Sequence, residues 1–352
     1  MSKFAIGKTR TVWMDNLRVV ATIAVIIIHV ATPAVFTQFN VNNNHWWIGN
    51  IYASICRFCV PVFLMLTGAL LLPQQQNLST FLNKRFKRVL LPFIFWCFVY
   101  IAFNLALKVR DVGTGAALSN LPVWLYAQFT LGPAPHLWYI YMLIGIYLFI
   151  PVIQRWVVEA SNKGILLFLS IWLLTILVGQ FGLVPANSPL DLRYFSGYIG
   201  YVISGYFIAH RLSVTVNLKL VAVFLFIAGV VSTVFGTYKS TQQAGAFSHV
   251  YYEYLTMNVL CAAVGIFMLF KSFTASETES TPNLLSKFVA RYGYGIYLAH
   301  LLIISILSHL NIDYKLVTPV LGIPLSAVIC MGISSGLVYI IHKLPYGKYF
   351  AG

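Results

Sequence analysis

Ten windows of this chain hold enough consecutive apolar residues to cross a bilayer, at about 13–35, 47–72, 89–108, 137–154, 164–183, 195–210, 218–236, 250–270, 293–311 and 317–341. In hydrocarbon, every backbone N–H and C=O must find its partner inside the protein, which leaves only helices or a closed barrel. Runs this long are helical, so the expected fold is an all-α, polytopic transmembrane bundle of about ten spans. Composition agrees: hydrophobic residues make up 59% of the 352 and charged residues 9%, against about 25% charged in a soluble domain. One membrane domain is expected over 1–352, with no soluble domain. A polar cytoplasmic linker, SETESTPN, lies at 276–283. The sixth window is short and Gly-rich. The basic-then-apolar start looks like a signal peptide, but its run is too long and contains Arg18 and His29, so it reads as the first retained span.

Lys and Arg set the orientation. With the N-terminus inside, seventeen of the 23 Lys and Arg residues fall in cytoplasmic segments and five (Lys108, Arg110, Arg193, Lys239, Lys315) fall outside. That bias predicts both termini in the cytoplasm. The formal charge of +15 follows from those loops; it also suits an anionic cytosolic ligand, and no nucleic-acid partner is expected. The five cysteines (56, 59, 97, 261, 330) all lie in apolar stretches. Cys56 and Cys59 have the spacing of a metal or redox pair but lack a second pair, so no metal is expected.

Ionisable residues inside apolar spans are costly and need a partner or a cavity. In RVVATIAVIIIH, Arg18 and His29 close the two ends of one apolar run. Eleven residues bring a helix back to within about 20° of the same face after a rise of about 16 Å, which favours a shared functional channel. Asp15 is placed as a local partner for Arg18 or as a first-turn helix charge. Arg57 sits some ten residues into the second window, with Glu253 (HVYYEYLTM) as a candidate mate; alternatively Glu253 orients His29. Lys84, Arg85, Lys87 and Arg88 put four cations into residues 84–88, with Arg85 and Arg88 spaced for one helix face. His136 and His300 are further candidates. The aromatics Trp46, Trp47, Tyr251, Tyr252 and Tyr254 read mainly as an outer aromatic belt.

Several of these segments occur together in a known order. MDNLRVVATIAVIIIHV resembles the first helix of the acyltransferase family 3 membrane proteins, with a basic residue, ten residues and a histidine. RFCVPVFLMLTGALL, KRFKRVLLPF, HLWYIYMLIGIYLFIPVI and YGYGIYLAH are similar to that family's later motifs, and the likeness runs through nearly the whole chain.

The resemblance implies an integral-membrane O-acyltransferase, with cytosolic acetyl-coenzyme A as the donor substrate and no permanently bound cofactor. The acceptor would be a hydroxyl of a cell-envelope sugar or lipid-linked glycan. It implies catalytic roles for His29 and Arg18, with His29 a general base or an acyl relay. Arg85 and Arg88, flanked by Lys84 and Lys87, would hold the coenzyme A phosphates through guanidinium forks. Arg57 suits oxyanion stabilisation, and Glu253 completes the catalytic set. His136, His300 and Trp138 are candidate acceptor or accessory contacts. The expected setting is the lipid bilayer of a bacterial inner membrane, with possible envelope-biosynthesis partners. Some relatives add an outer esterase-like domain; none is read here, so the bundle is expected to finish transfer itself or with a separate partner. A polysaccharide or glycolipid exporter is the competing reading, because intramembrane Arg, His and Glu also mark translocation paths; a scaffold subunit of an envelope complex is a third.

Overall fold

The computed structural model describes residues 9–74, 76–181, 197–213, 215–273 and 283–352. Among them the secondary structure is helical, with no strand. The helices are α1 (Thr9–Thr37), α2 (Asn43–Cys56), α3 (Cys59–Leu71), α4 (Leu78–Arg85), α5 (Leu91–Val112), α6 (Thr114–Leu118), α7 (Leu121–Leu131), α8 (Trp138–Glu159), α9 (Asn162–Gln180), α10 (Ile199–His210), α11 (Val216–Ala244), α12 (Met257–Phe273), α13 (Leu284–His309) and α14 (Pro319–Lys343). A π-helical turn, Phe86–Leu90, joins α4 to α5. The expected linker at 276–283 lies, apart from Asn283, outside the described residues. So do Lys3, Lys8 and Arg193 of the charge bias, 182–183 of the fifth window and 195–196 of the sixth.

The framework divides into two compact units. One comprises Met1–Gln75, Val152–Arg291 and Asn311–Val328. Within it α1 packs on α2, α3 and α12; α3 packs on α10; and α11 packs on α12. Between helices in lipid there is little hydrophobic gain, so close backbone approach and interhelical hydrogen bonds do the work. The α3–α10 pair shows this. A Cβ placed on Gly68 would lie 1.7 Å from the carbonyl oxygen of Val202, and one on Gly205 would lie 2.0 Å from that of Met65. The end of α10 is capped from outside: Lys271 Nζ donates to the carbonyls of Ile208, Ala209 and Leu212, groups a helix cannot satisfy internally. Gln154 does the same for α3, donating to the carbonyls of Leu71, Leu72 and Gln74.

The second unit comprises Gln76–Pro151, Tyr292–Leu310 and Ile329–Gly352. Here the Tyr100 hydroxyl donates to the Leu298 carbonyl at 2.8 Å and accepts from the Leu302 amide at 3.0 Å. A side chain of α5 is thereby inserted into the i to i−4 ladder of α13. The Tyr294 hydroxyl donates to the Val89 carbonyl inside the π turn.

Nine helical stretches among the described residues are long and apolar enough to cross a membrane, and they coincide with nine of the ten expected windows. The sixth window differs. Its helix α10 has 12 residues, a rise of about 18 Å against a hydrocarbon core of about 30 Å. Its Gly205 serves contact with α3, and its Gly200 serves contact with Trp172 of α9. The second window is interrupted, with Arg57 and Phe58 in a turn between α2 and α3. The stretch between the third and fourth windows, 109–136, is largely helical: α5 runs on to Val112, and α6 and α7 follow. No side chain of α7 is buried.

Candidate active-site residues

Arg18 and His29 both lie on α1 and both are half-buried, while their neighbours Leu17, Val19, Ile28 and Val30 are buried. The expected partner of Arg18 is found: its Nη1 meets Asp15 Oδ1 at 2.6 Å, one turn earlier on the same helix. Thr22 donates its hydroxyl to the Arg18 carbonyl. The guanidinium is therefore anchored about a third of the way along α1, with the imidazole eleven residues further on.

Arg57 has a different environment from the one expected. Its Nε donates to the Tyr252 carbonyl at 2.8 Å, and its guanidinium carbon lies 4.5 Å from the Tyr252 ring centre and 4.9 Å from that of Tyr254. Tyr252 is itself fixed, because its hydroxyl donates to Oδ1 of the buried Asn50 at 2.7 Å. The terminal guanidinium nitrogens make no hydrogen bond or ion pair among the described residues. Glu253, the expected mate, pairs instead with His249, whose Nε2 lies 3.7 Å from Glu253 Oε1. The reason is local. Glu253 follows a 3₁₀ turn, Val250–Tyr252, that starts at His249, and four residues along the chain bring the imidazole and the carboxylate together. The turn between α2 and α3 meanwhile carries Arg57 to the tyrosines on either side of Glu253.

The basic segment is where the helix changes its winding. Asn77 caps α4 through its side chain, Arg85 ends α4, and the next five residues form the π turn, a form that is rare and frequent at functional sites. The wider turn breaks the expected sharing of one face. Arg85 is half-buried and lines a cavity of about 640 Å³, whereas Lys84, Lys87 and Arg88 are exposed and do not line it. The guanidinium carbon of Arg85 lies 5.4 Å from the Phe81 ring and 5.5 Å from the Tyr147 ring. Its Nε is buried and has no hydrogen-bond partner among the described residues. Ser79, Asn83 and Tyr147 supply the cavity's other polar groups, and leucine, isoleucine, valine and Phe86 the rest. An arginine stacked between rings, with a buried donor left over, is suited to receive an oxyanion.

His136 and His300 belong together, with ring centres 4.9 Å apart. They are 2% and 0% exposed among the rings of Tyr100 and Tyr297. The Tyr297 hydroxyl donates to the His136 carbonyl, and His300 Nδ1 bonds the Tyr297 carbonyl. Trp138, two residues beyond His136, points outward and is 39% exposed.

Sequence reasoning missed the aromatic partners. Tyr252 and Tyr254 were assigned to a belt, and Phe81 and Tyr147 were not singled out. The alternation YEY around Glu253 was the available signal for the first pair. Tyr147 comes from a helix more than fifty residues beyond Arg85 in sequence, and no local pattern links them.

Comparison with known families then gives one finding. A family model described as an acyltransferase domain, that of acyltransferase family 3, matches residues 11–339. No curated protein and no solved structure matches the chain.

Proposed function

The chain belongs to acyltransferase family 3 and is a multi-pass membrane protein; from that premise we propose that it is an O-acyltransferase. It moves an acetyl group from cytosolic acetyl-coenzyme A to a hydroxyl of a cell-envelope sugar or lipid-linked glycan, in a bacterial inner membrane. The observation that carries the donor half is Arg85, with its buried Nε unpartnered among the described residues, its two flanking rings and a 640 Å³ cavity beside it. A phosphate of coenzyme A supplies the oxygens such a guanidinium lacks. Lys84, Lys87 and Arg88 around it add attraction for the remaining phosphates.

In the transfer step, His29 takes the proton of the acceptor hydroxyl as the oxygen attacks the thioester carbonyl. The tetrahedral oxyanion collapses by breaking the C–S bond, and coenzyme A leaves as a thiolate that takes up a proton. Ester and free thiol are the products. Arg57, whose terminal nitrogens make no hydrogen bond among the described residues, suits the developing oxyanion. Arg18, held by Asp15, keeps a fixed positive charge on the helix that carries His29.

The test is transfer of labelled acetyl from acetyl-coenzyme A in membranes holding the wild type or His29→Ala at equal protein level. Loss of labelling of about a hundredfold or more is expected from the variant, in the range of a removed general base. Equal labelling would remove His29 from the chemistry. No labelling by either, with glycan export dependent on the protein, would favour the exporter reading.

A further inference from the structure

A second cavity, of about 300 Å³, lies in the unit that contains Arg57 and Glu253. It opens where α9 ends and α12 begins. Its polar lining consists of the Gln180 carboxamide, the Glu253 carboxylate with its His249 partner, the Thr175 and Thr256 hydroxyls and Tyr198. Among the described residues, no Lys or Arg lines it. Trp172, Ile176 and Leu255 give it apolar surface.

This chemistry does not suit the donor. A carboxylate on the wall, with no Lys or Arg among the described lining residues, disfavours the phosphates of coenzyme A. A neutral polyhydroxylated ligand fits instead: carboxylate, carboxamide, imidazole and hydroxyl groups give and accept hydrogen bonds in several directions, and the apolar wall suits the C–H face of a sugar ring. The volume, at the small end for ligand pockets, suits a hexose and little more.

The floor is fixed before any ligand arrives. Gln180 accepts from the Met257 amide at 2.7 Å and donates to Asn258 Oδ1 at 3.3 Å, tying the end of α9 to the start of α12. Thr256 donates to the Glu253 carbonyl at 2.6 Å, which leaves its oxygen lone pairs to accept. The carboxylate and imidazole of the Glu253–His249 pair remain more than half exposed, at 57% and 73%. Tyr198 lies within electrostatic reach of both Glu253 and Arg57. Both helix ends at the cavity are ones that the Lys and Arg bias assigns to the exterior, where an envelope glycan is found.

We infer that this cavity is a carbohydrate subsite, in which Glu253, His249 and Thr256 hold the hydroxyls of the acceptor sugar. The inference rests on the acyltransferase reading for the word acceptor; the sugar site itself does not.

The experiment uses photoreactive diazirine derivatives of the methyl glycosides of glucose, galactose, rhamnose and N-acetylglucosamine. The purified full chain is labelled in a detergent without a sugar headgroup, and labelled peptides are mapped by mass spectrometry. At least one probe is expected to label peptides containing residues 172–180 or 249–256, with the label displaced by the parent glycoside. Glu253→Gln should reduce that label by about tenfold, the scale of a lost hydrogen bond to a charged group. Thr256→Val should reduce it by less and lower the melting temperature slightly, because it loses the bond to the Glu253 carbonyl, whereas Glu253→Gln should keep the wild-type melting temperature. Label elsewhere, label that no glycoside displaces, or equal label in wild type and both variants would overturn the subsite. The acetyl-transfer assay on the same proteins separates the two readings. A raised KM for acceptor at an unchanged KM for acetyl-coenzyme A in Glu253→Gln supports both. Displaceable label at this cavity with no acetyl transfer by the wild type sinks the acyltransferase reading and leaves the sugar site standing.

Discussion

Arg57 donates its Nε to the carbonyl of Tyr252 at 2.8 Å while the ring of that same tyrosine lies 4.5 Å from its guanidinium carbon. One planar cation thus uses its edge for a hydrogen bond and its faces for two aromatic rings. A membrane arginine with no carboxylate partner among the described residues is held by quadrupoles and a backbone dipole. Lysine cannot reproduce this, since an ammonium has no flat face and a different reach. Arg57→Lys should therefore lower stability by about 1–2 kcal/mol, the scale of a partly desolvated cation–π contact, despite keeping the charge. Thermal unfolding of the purified protein measures it. If the outward nitrogens meet the oxyanion, kcat should fall more than KM changes.

The contact of α3 with α10 depends on two hydrogens in place of side chains. Because the atoms facing Gly68 and Gly205 are backbone carbonyls of the opposite helix, no rotamer change can admit a methyl group, and the helices must move apart. Gly68→Ala and Gly205→Ala should each cost about 3 kcal/mol, the upper part of the range for overpacking. Gly332→Ala and Gly336→Ala on α14, where a Cβ would have open space, should be neutral or slightly stabilising by relief of the helical glycine penalty. A melting-temperature series in detergent separates the two pairs.

What the sequence made legible follows from what is local. Nine helices could be placed because hydrophobic length is a one-dimensional signal, and Asp15 was matched to Arg18 because three residues of helix put them side by side. The 12-residue α10 was read as a span because YFSGYIGYVISGYFIAH is apolar enough for one. Its Gly205 marks contact with α3, more than a hundred residues away in sequence, and its Gly200 marks contact with Trp172 of α9. The same limit governed the candidate site. Arg85 and Arg88 were given one face on the assumption of regular α-helix, and a π turn between them sends only Arg85 to the cavity. Glu253 was matched to Arg57 by opposite charge, whereas the nearer imidazole of His249 takes the carboxylate and a turn in the second span delivers Arg57 to the tyrosines.

Lys271 gives a test of how α10 is held. Its ammonium meets three carbonyls at the helix end, at 2.5, 3.1 and 2.5 Å. Lys271→Met keeps most of the side-chain volume and removes all three donors, so acceptors are left in a site with little water. The expected loss is about 1–3 kcal/mol. Lys271→Arg, which retains donors, should recover part of it. Equal melting of wild type and Lys271→Met would mean that water replaces the ammonium there.

Arg85 and Arg88 carry the same charge three residues apart, so bulk attraction for an anion predicts equal effects on removal. The structure predicts unequal ones. Arg85 has a buried Nε and rings on two sides, and a phosphate bound there is partly shielded from water. Arg88 is exposed, where a charge contact is worth at most about 1 kcal/mol. Arg85→Ala should raise the KM for acetyl-coenzyme A by about tenfold or more, and Arg88→Ala by about fivefold at most. Uniform binding of substrate and transition state leaves kcat nearly unchanged in both. Salt provides the second axis, because screening over a Debye length of about 8 Å at physiological ionic strength weakens the exposed contact first. The KM difference between wild type and Arg88→Ala should therefore shrink as salt rises, while that between wild type and Arg85→Ala persists. Equal KM effects with equal salt dependence would reduce the basic turn to a diffuse patch and remove the 640 Å³ cavity as the donor site.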